Sequence, residues 1–167
     1  MSIIIKSTNF GKNLFGAYDL LNGSLKLLIT KEAFNELINC PIVPPEMGGI
    51  LLGNSSIIDI VIFDSGIKEH KNSGIKYVPD IKFLNKCLSI YSKQGKRFLG
   101  MFHTHARQWK NLSNDDIQYI KNIMRAMPSE IKYLYFPLVF PGENIKAYKA
   151  QKKSFQIIIN KEEIEQI

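Results

Sequence analysis

The nine residues Arg97-Phe98-Leu99-Gly100-Met101-Phe102-His103-Thr104-His105 constrain the fold more than any other stretch of the chain. The apolar run is too short for a buried helix and reads as a core strand. Its C-terminal end carries two histidines one residue apart. Side chains alternate along a strand, so both imidazoles point to the same side. Such a strand must lie inside a sheet, with its polar end opening onto a cavity or the surface.

Seven residues follow, Ala106 to Leu112, and then Ser113-Asn114-Asp115-Asp116. An aspartate one short loop after the histidines can complete a three-ligand cluster. Two neutral imidazoles and a carboxylate suit catalytic zinc, with a fourth position left for water. Ser113-x-x-Asp116 also reads as a helix capping box. The two readings are compatible, because a cap that starts the helix leaves Asp116 in its first turn, within reach of a metal held by the strand. Ser113 either caps the helix or points at a substrate. Upstream, Glu46 opens Glu46-Met47-Gly48-Gly49-Ile50-Leu51-Leu52-Gly53. It lies after two prolines and before two glycines and is the candidate base. Alone it could be only a surface carboxylate at a strand end.

The order and spacing of these residues resemble the JAMM/MPN+ metalloprotease family, also called the JAB domain. Its signature is a glutamate upstream of His-x-His, seven residues, then Ser-x-x-Asp. Glu46, His103, His105, Ser113 and Asp116 match it, as does the Gly48–Gly53 tail. The resemblance covers about residues 25–150. It implies one Zn2+ per chain on His103, His105 and Asp116, with Glu46 as general base and Ser113 as a donor to the oxyanion. Phe102 and Ala106 stand where members often carry Trp and Pro. The His-Asn-His-Pro-Ser sequence of RadC-type relatives is absent, and so are the insertions of eukaryotic members. The resemblance further implies a peptidase or isopeptidase acting at the C-terminus of a ubiquitin-like protein or its conjugate. Compact members of antiphage operons, which deconjugate a nucleotidyltransferase, are one setting. Trimming of a ubiquitin-fold sulfur carrier is another, and a non-catalytic MPN scaffold is a third, disfavoured by the intact ligand set.

The rest of the chain is consistent with a single α+β domain, α/β/α-like, with a central mixed sheet flanked by helices. Residues 1–24 read as a lead-in segment and 151–167 as a C-terminal extension. Strands are expected at 25–29, 46–53, 57–63, 97–105, 133–140, 145–150 and 155–159, and helices at 31–39, 80–93 and 113–127. The 64–78 loop is long enough for a function of its own. His70, in that loop, reads as a solvated residue. Trp109, between the ligands, suits either packing on substrate or pinning its loop.

A net charge of +7 raises the question of nucleic acid. The lysines are scattered and no basic run is interleaved with aromatics, which argues against it. Two cysteines, Cys40 and Cys87, without a C-x-x-C pair point to free thiols rather than a cysteine zinc site. No secretory signal and no membrane-length apolar stretch is visible, so a cytoplasmic protein is expected.

Overall fold

The computed structural model describes residues 26–41, 46–67 and 77–167. The expected lead-in segment 1–24, Pro44, Pro45 and His70 lie outside the described residues. In chain order the elements are β1 (Lys26–Ile29), α1 (Lys31–Ile38), β2 (Gly48–Asn54), β3 (Ile57–Asp64), α2 (Ile81–Lys93), β4 (Arg97–Thr104), α3 (Asn114–Ala126), β5 (Tyr133–Tyr135), β6 (Leu138–Phe140), β7 (Asn144–Lys153) and β8 (Gln156–Gln166).

A mixed sheet and three helices among the described residues make this an α+β fold, as the sequence suggests. The sheet is not open, however. Its strands run in the order β2-β3-β1-β8-β7-β5-β4-β6, and a further pairing of β2 with β4 closes the ring. β2 runs antiparallel to both β3 and β4. β1 lies parallel to both β3 and β8. β5 and β6 each bridge β4 and β7.

Apolar burial explains why β2 and β4 sit where they do. Ile50, Leu51, Leu52, Phe98, Leu99, Met101 and Phe102 are all nearly inaccessible. Strands buried on both faces read as continuous apolar runs, as these do. Each such side chain contributes about 1.5–3 kcal/mol relative to exposure. Gly100 lets β4 approach β5, since a Cβ there would meet the Tyr135 carbonyl oxygen at 1.8 Å.

Two segments differ from the sequence expectation. The strand expected over 133–140 is split into β5 and β6 around Phe136-Pro137. Proline has no N–H to give the ladder. Phe136 still donates to the Tyr148 carbonyl at 2.7 Å, so β7 spans the break. The stretch read as an extension, 151–167, runs within the sheet. β8 pairs with β7 from Gln156 to Glu162 and then with β1 from Glu163 to Gln166. At the handover, Lys149 and Glu162 face each other at 3.5 Å with side chains 6% and 7% exposed.

The helices hold the site's elements in place. α3 packs through Ile120, Ile123, Met124 and Met127, an i, i+3, i+4, i+7 stripe that is buried. This fixes the first turn of α3, which carries Asp116. Thr30 caps α1 by accepting from the Ala33 N–H, and Asp80 caps α2 by accepting from the Phe83 N–H. Among the described residues, no helix is long and apolar enough to cross a membrane.

Candidate metal centre

Register places the upstream glutamate beside the histidine pair. Gly48 of β2 lies opposite His103 of β4. Beyond that pair, the Thr104 N–H donates to the Met47 carbonyl at 2.7 Å, and the Met47 N–H donates to the Thr104 hydroxyl at 3.0 Å. Thr104 is buried, so this two-way link is shielded from water. It carries Glu46, one residue further out, to the face where His103 and His105 emerge. The His105 N–H donates to the Val139 carbonyl of β6 at 2.9 Å, which holds the end of β4 on its other side.

His103, His105 and Asp116 are the one His/Cys/Asp/Glu group among the described residues with donor atoms close enough to hold a metal. The two Nε2 atoms are 3.1 Å apart. Asp116 Oδ1 is 3.6 Å from His103 Nε2, and Oδ2 is 3.5 Å from His105 Nε2. A tetrahedral zinc with arms of ~2.0–2.1 Å has ligand–ligand edges of about 3.3–3.4 Å. The separation between the two imidazoles is near that value, the two Asp116 contacts are made by different carboxylate oxygens, and one donor atom from each of the three residues lies within 4.8 Å of the others.

The donor chemistry also fits. His105 Nδ1 lies 2.8 Å from the Trp109 carbonyl, which can only accept, so Nδ1 carries a hydrogen. In the neutral ring this leaves the Nε2 lone pair aimed at the cluster, the usual arrangement behind a metal-ligating histidine. Trp109 therefore serves the site through its backbone, while its ring is 52% exposed.

Ser113 and Asp116 form the capping box. The Ser113 hydroxyl accepts from the Asp116 N–H at 3.1 Å, and Asp116 Oδ2 accepts from the Ser113 N–H at 2.7 Å. The Ser113 hydroxyl also lies 2.7 Å from Asp116 Oδ2 as a donor. Its hydrogen is directed to the carboxylate, so in this arrangement Ser113 orients a ligand. Capping leaves a donor free, with Oδ2 tied to the cap and Oδ1 3.6 Å from His103 Nε2.

The electrostatics follow from crowding. Burial is the largest influence on Asp116 and works against its charge, but the imidazoles and Ser113 together outweigh it and hold the carboxyl well below its usual range. Burial likewise opposes a charged His105, yet Asp116, the Trp109 carbonyl and Glu46 leave its pKa raised. A proton therefore competes with metal at His105, and metal affinity falls as pH falls. Burial raises the Glu46 pKa against the pull of both histidines. Glu46 Oε1 stands 3.7 Å from His105 Nε2, at the edge of the cluster rather than within it.

Asp64 and Tyr77 complete the site and were not picked out from the sequence. Asp64, at the end of β3, is 5% exposed. Its carboxylate accepts from the Gly66 N–H at 2.9 Å, the Tyr77 hydroxyl at 2.7 Å and the Asp80 N–H at 2.7 Å. Tyr77 is thereby fixed over β2, where a Cβ on Gly48 would come within 2.4 Å of its ring. The Tyr77 backbone N–H faces the Glu46 carboxylate and favours its charged form. A buried aspartate at a strand end has no sequence signature that marks it as an anchor.

Replacing Ser113 by alanine is expected to lower stability by about 0.5–2 kcal/mol through loss of the cap. It should also weaken metal retention, because Asp116 loses a partner. Thermal melts and metal content on dialysis measure the two effects. A melt shift with unchanged metal retention would restrict Ser113 to capping.

Among known proteins, no family model matches the chain and no curated protein matches it in sequence. Solved structures do. Protein DSY2949 from Desulfitobacterium hafniense aligns with a TM-score of 0.56 at 17% identity, covering 84% of this chain and 92% of that one. A protein from Salinibacter ruber aligns at a TM-score of 0.49 and 12% identity, covering 84% and 91%. AF2198, a JAB1/MPN domain protein from Archaeoglobus fulgidus, aligns at 0.44 and 16%, covering 87% and 100%. The first likeness shows a shared fold. The other two TM-scores are too low to bear on it.

Proposed function

We propose that the protein is a zinc-dependent peptidase of the JAMM/MPN+ type that cleaves the amide after the C-terminus of a ubiquitin-like protein, in a conjugate or a precursor. The observation that carries this reading is the convergence of His103, His105 and Asp116, whose donor atoms lie close enough together to hold a metal, with Glu46 3.7 Å from His105 Nε2 beside them. The ligands are two imidazoles and one carboxylate, which leave a coordination position open.

Zinc bound there supplies a Lewis acid that polarises a carbonyl and lowers the pKa of water. The protein's own groups do the rest. Glu46 is half-buried and has a raised pKa, and it stands beside the ligand cluster, so it is placed to take a proton from water and return it to the departing amine. The Ser113 hydroxyl hydrogen is given to Asp116 Oδ2, and donation to a substrate oxyanion would require it to turn away from that carboxylate. Cys40 and Cys87 are free, in keeping with a cytoplasmic setting. Deconjugation in an antiphage operon and trimming of a sulfur carrier use the same chemistry, and gene neighbours separate them.

The test is to incubate zinc-loaded protein with a ubiquitin-fold partner from its own gene neighbourhood, fused at its C-terminal glycine to a reporter, and separately with unfolded casein. Cleavage at the fusion junction with little casein digestion is expected. Rapid casein digestion with an intact fusion would leave a general zinc protease, and no cleavage of either would remove the peptidase reading.

A further inference from the structure

A cleft of about 410 Å³ opens directly off the candidate centre. Glu46, His103 and Asp116 form part of its wall, so whatever fills it lies against the reacting groups. The remaining wall is largely apolar. Met101 and Phe102 come from β4, Ile120 and Tyr119 from α3, and Phe136 from the break between β5 and β6. Val78 and Pro79 come from the segment that Asp64 anchors. The volume falls in the range of pockets that enclose a ligand group, about 300–1,000 Å³.

The proposed reaction places glycine on the acyl side of the scissile bond. Glycine has no side chain to occupy such a space. The group that can do so is the residue that leaves with the free amine. Resting on the reading above, we propose that the cleft binds a bulky apolar side chain, Phe, Leu or Met in kind, on the residue immediately after the scissile bond. The preferred substrate is then a linear precursor with an apolar residue after the glycine, rather than a glycine linked to a lysine side chain.

An apolar pocket beside the reacting bond discriminates through burial, which a single glycine residue cannot provide. The effect expected between Phe and Gly at this position is at least about tenfold in kcat/KM.

Two measurements test the proposal on the zinc-loaded full chain. The first compares fusions of one ubiquitin-fold partner whose glycine is followed by Phe, by Leu or by Gly, together with the same partner joined to a lysine ε-amine. Phe and Leu fusions should be cleaved at least about tenfold faster than the other two, and Val78→Trp, which fills the cleft, should bring the Phe/Gly ratio toward one. The second measurement needs no turnover. The peptide Phe-Ala-Ala-amide, which resembles the released product, should shift the methyl NMR signals of Met101 and Ile120, whereas Gly-Ala-Ala-amide should not. Equal rates for Phe and Gly, or faster cleavage of the lysine conjugate, would overturn the inference and leave the peptidase reading standing. Methyl shifts with Phe-Ala-Ala-amide but no cleavage of any fusion would uphold the apolar cleft and sink the peptidase reading.

Discussion

The double variant His103→Ala/His105→Ala is expected to lose the metal completely, while the wild-type protein holds one zinc per chain. Both imidazoles are committed to the cluster, with Nε2 atoms 3.1 Å apart and Asp116 as the third donor. A single carboxylate at the start of α3 cannot hold zinc against water. The loss should also register as stability. A metal that binds only the folded state adds about 2.7 kcal/mol when its free concentration is one hundred times its dissociation constant. A chelator should therefore lower the melting temperature of the wild type and leave that of the double variant unchanged. Elemental analysis of both proteins after dialysis against zinc-free buffer gives the direct answer. Equal zinc content in the two would mean that the ion sits elsewhere.

Glu46→Gln should separate metal binding from turnover. Glu46 lies outside the His103–His105–Asp116 donor group, with Oε1 3.7 Å from His105 Nε2 at the group's edge. Glutamine has the same shape and lies outside the donor group, so the local fold and the zinc are both retained. What is lost is the ability to take up and return a proton. General acid–base catalysis is worth about 10²–10⁴ in rate, and one carboxylate here serves both transfers. The expected result is a folded protein with one zinc per chain and turnover reduced by two to four orders of magnitude, as that range implies. Turnover near the wild-type rate in that zinc-loaded variant would remove Glu46 from the chemistry.

The parts legible in the sequence were those written in local periodicity. β4 announced itself through an unbroken apolar run, and strand alternation alone put His103 and His105 on one side. α3 was legible because Ser113 and the Ser-x-x-Asp spacing mark its start. The capping box and the ligand reading of Asp116 use the same residues: the box is formed, and Asp116 also groups with His103 and His105. The parts that were not legible depend on contacts between distant segments. Nothing local to Gln156–Gln166 says that it pairs with β7 and then β1. Nothing local to β2 says that it also joins β4 and closes the ring. The Asp64–Tyr77 anchor was hidden for the same reason, since two of its three hydrogen bonds, from the Tyr77 hydroxyl and the Asp80 N–H, come from residues 13 and 16 positions further along the chain. Pro137 was visible, but a broken strand still spanned by β7 reads the same in sequence as a continuous one.

The closed ring also sets an order of events during synthesis. β1 is among the first strands to leave the ribosome, yet one of its two neighbours is β8. The ion pair between Lys26 and Glu165 joins residues 139 positions apart in the chain. At about 5–20 residues per second, translation needs roughly 7–28 s to cover that distance. Throughout that interval one side of β1 is an unpaired edge, open to pairing with any other extended chain. The nascent protein is then most exposed to misassociation just before β8 arrives, and a pause in translation upstream of Gln156 would lengthen that exposure.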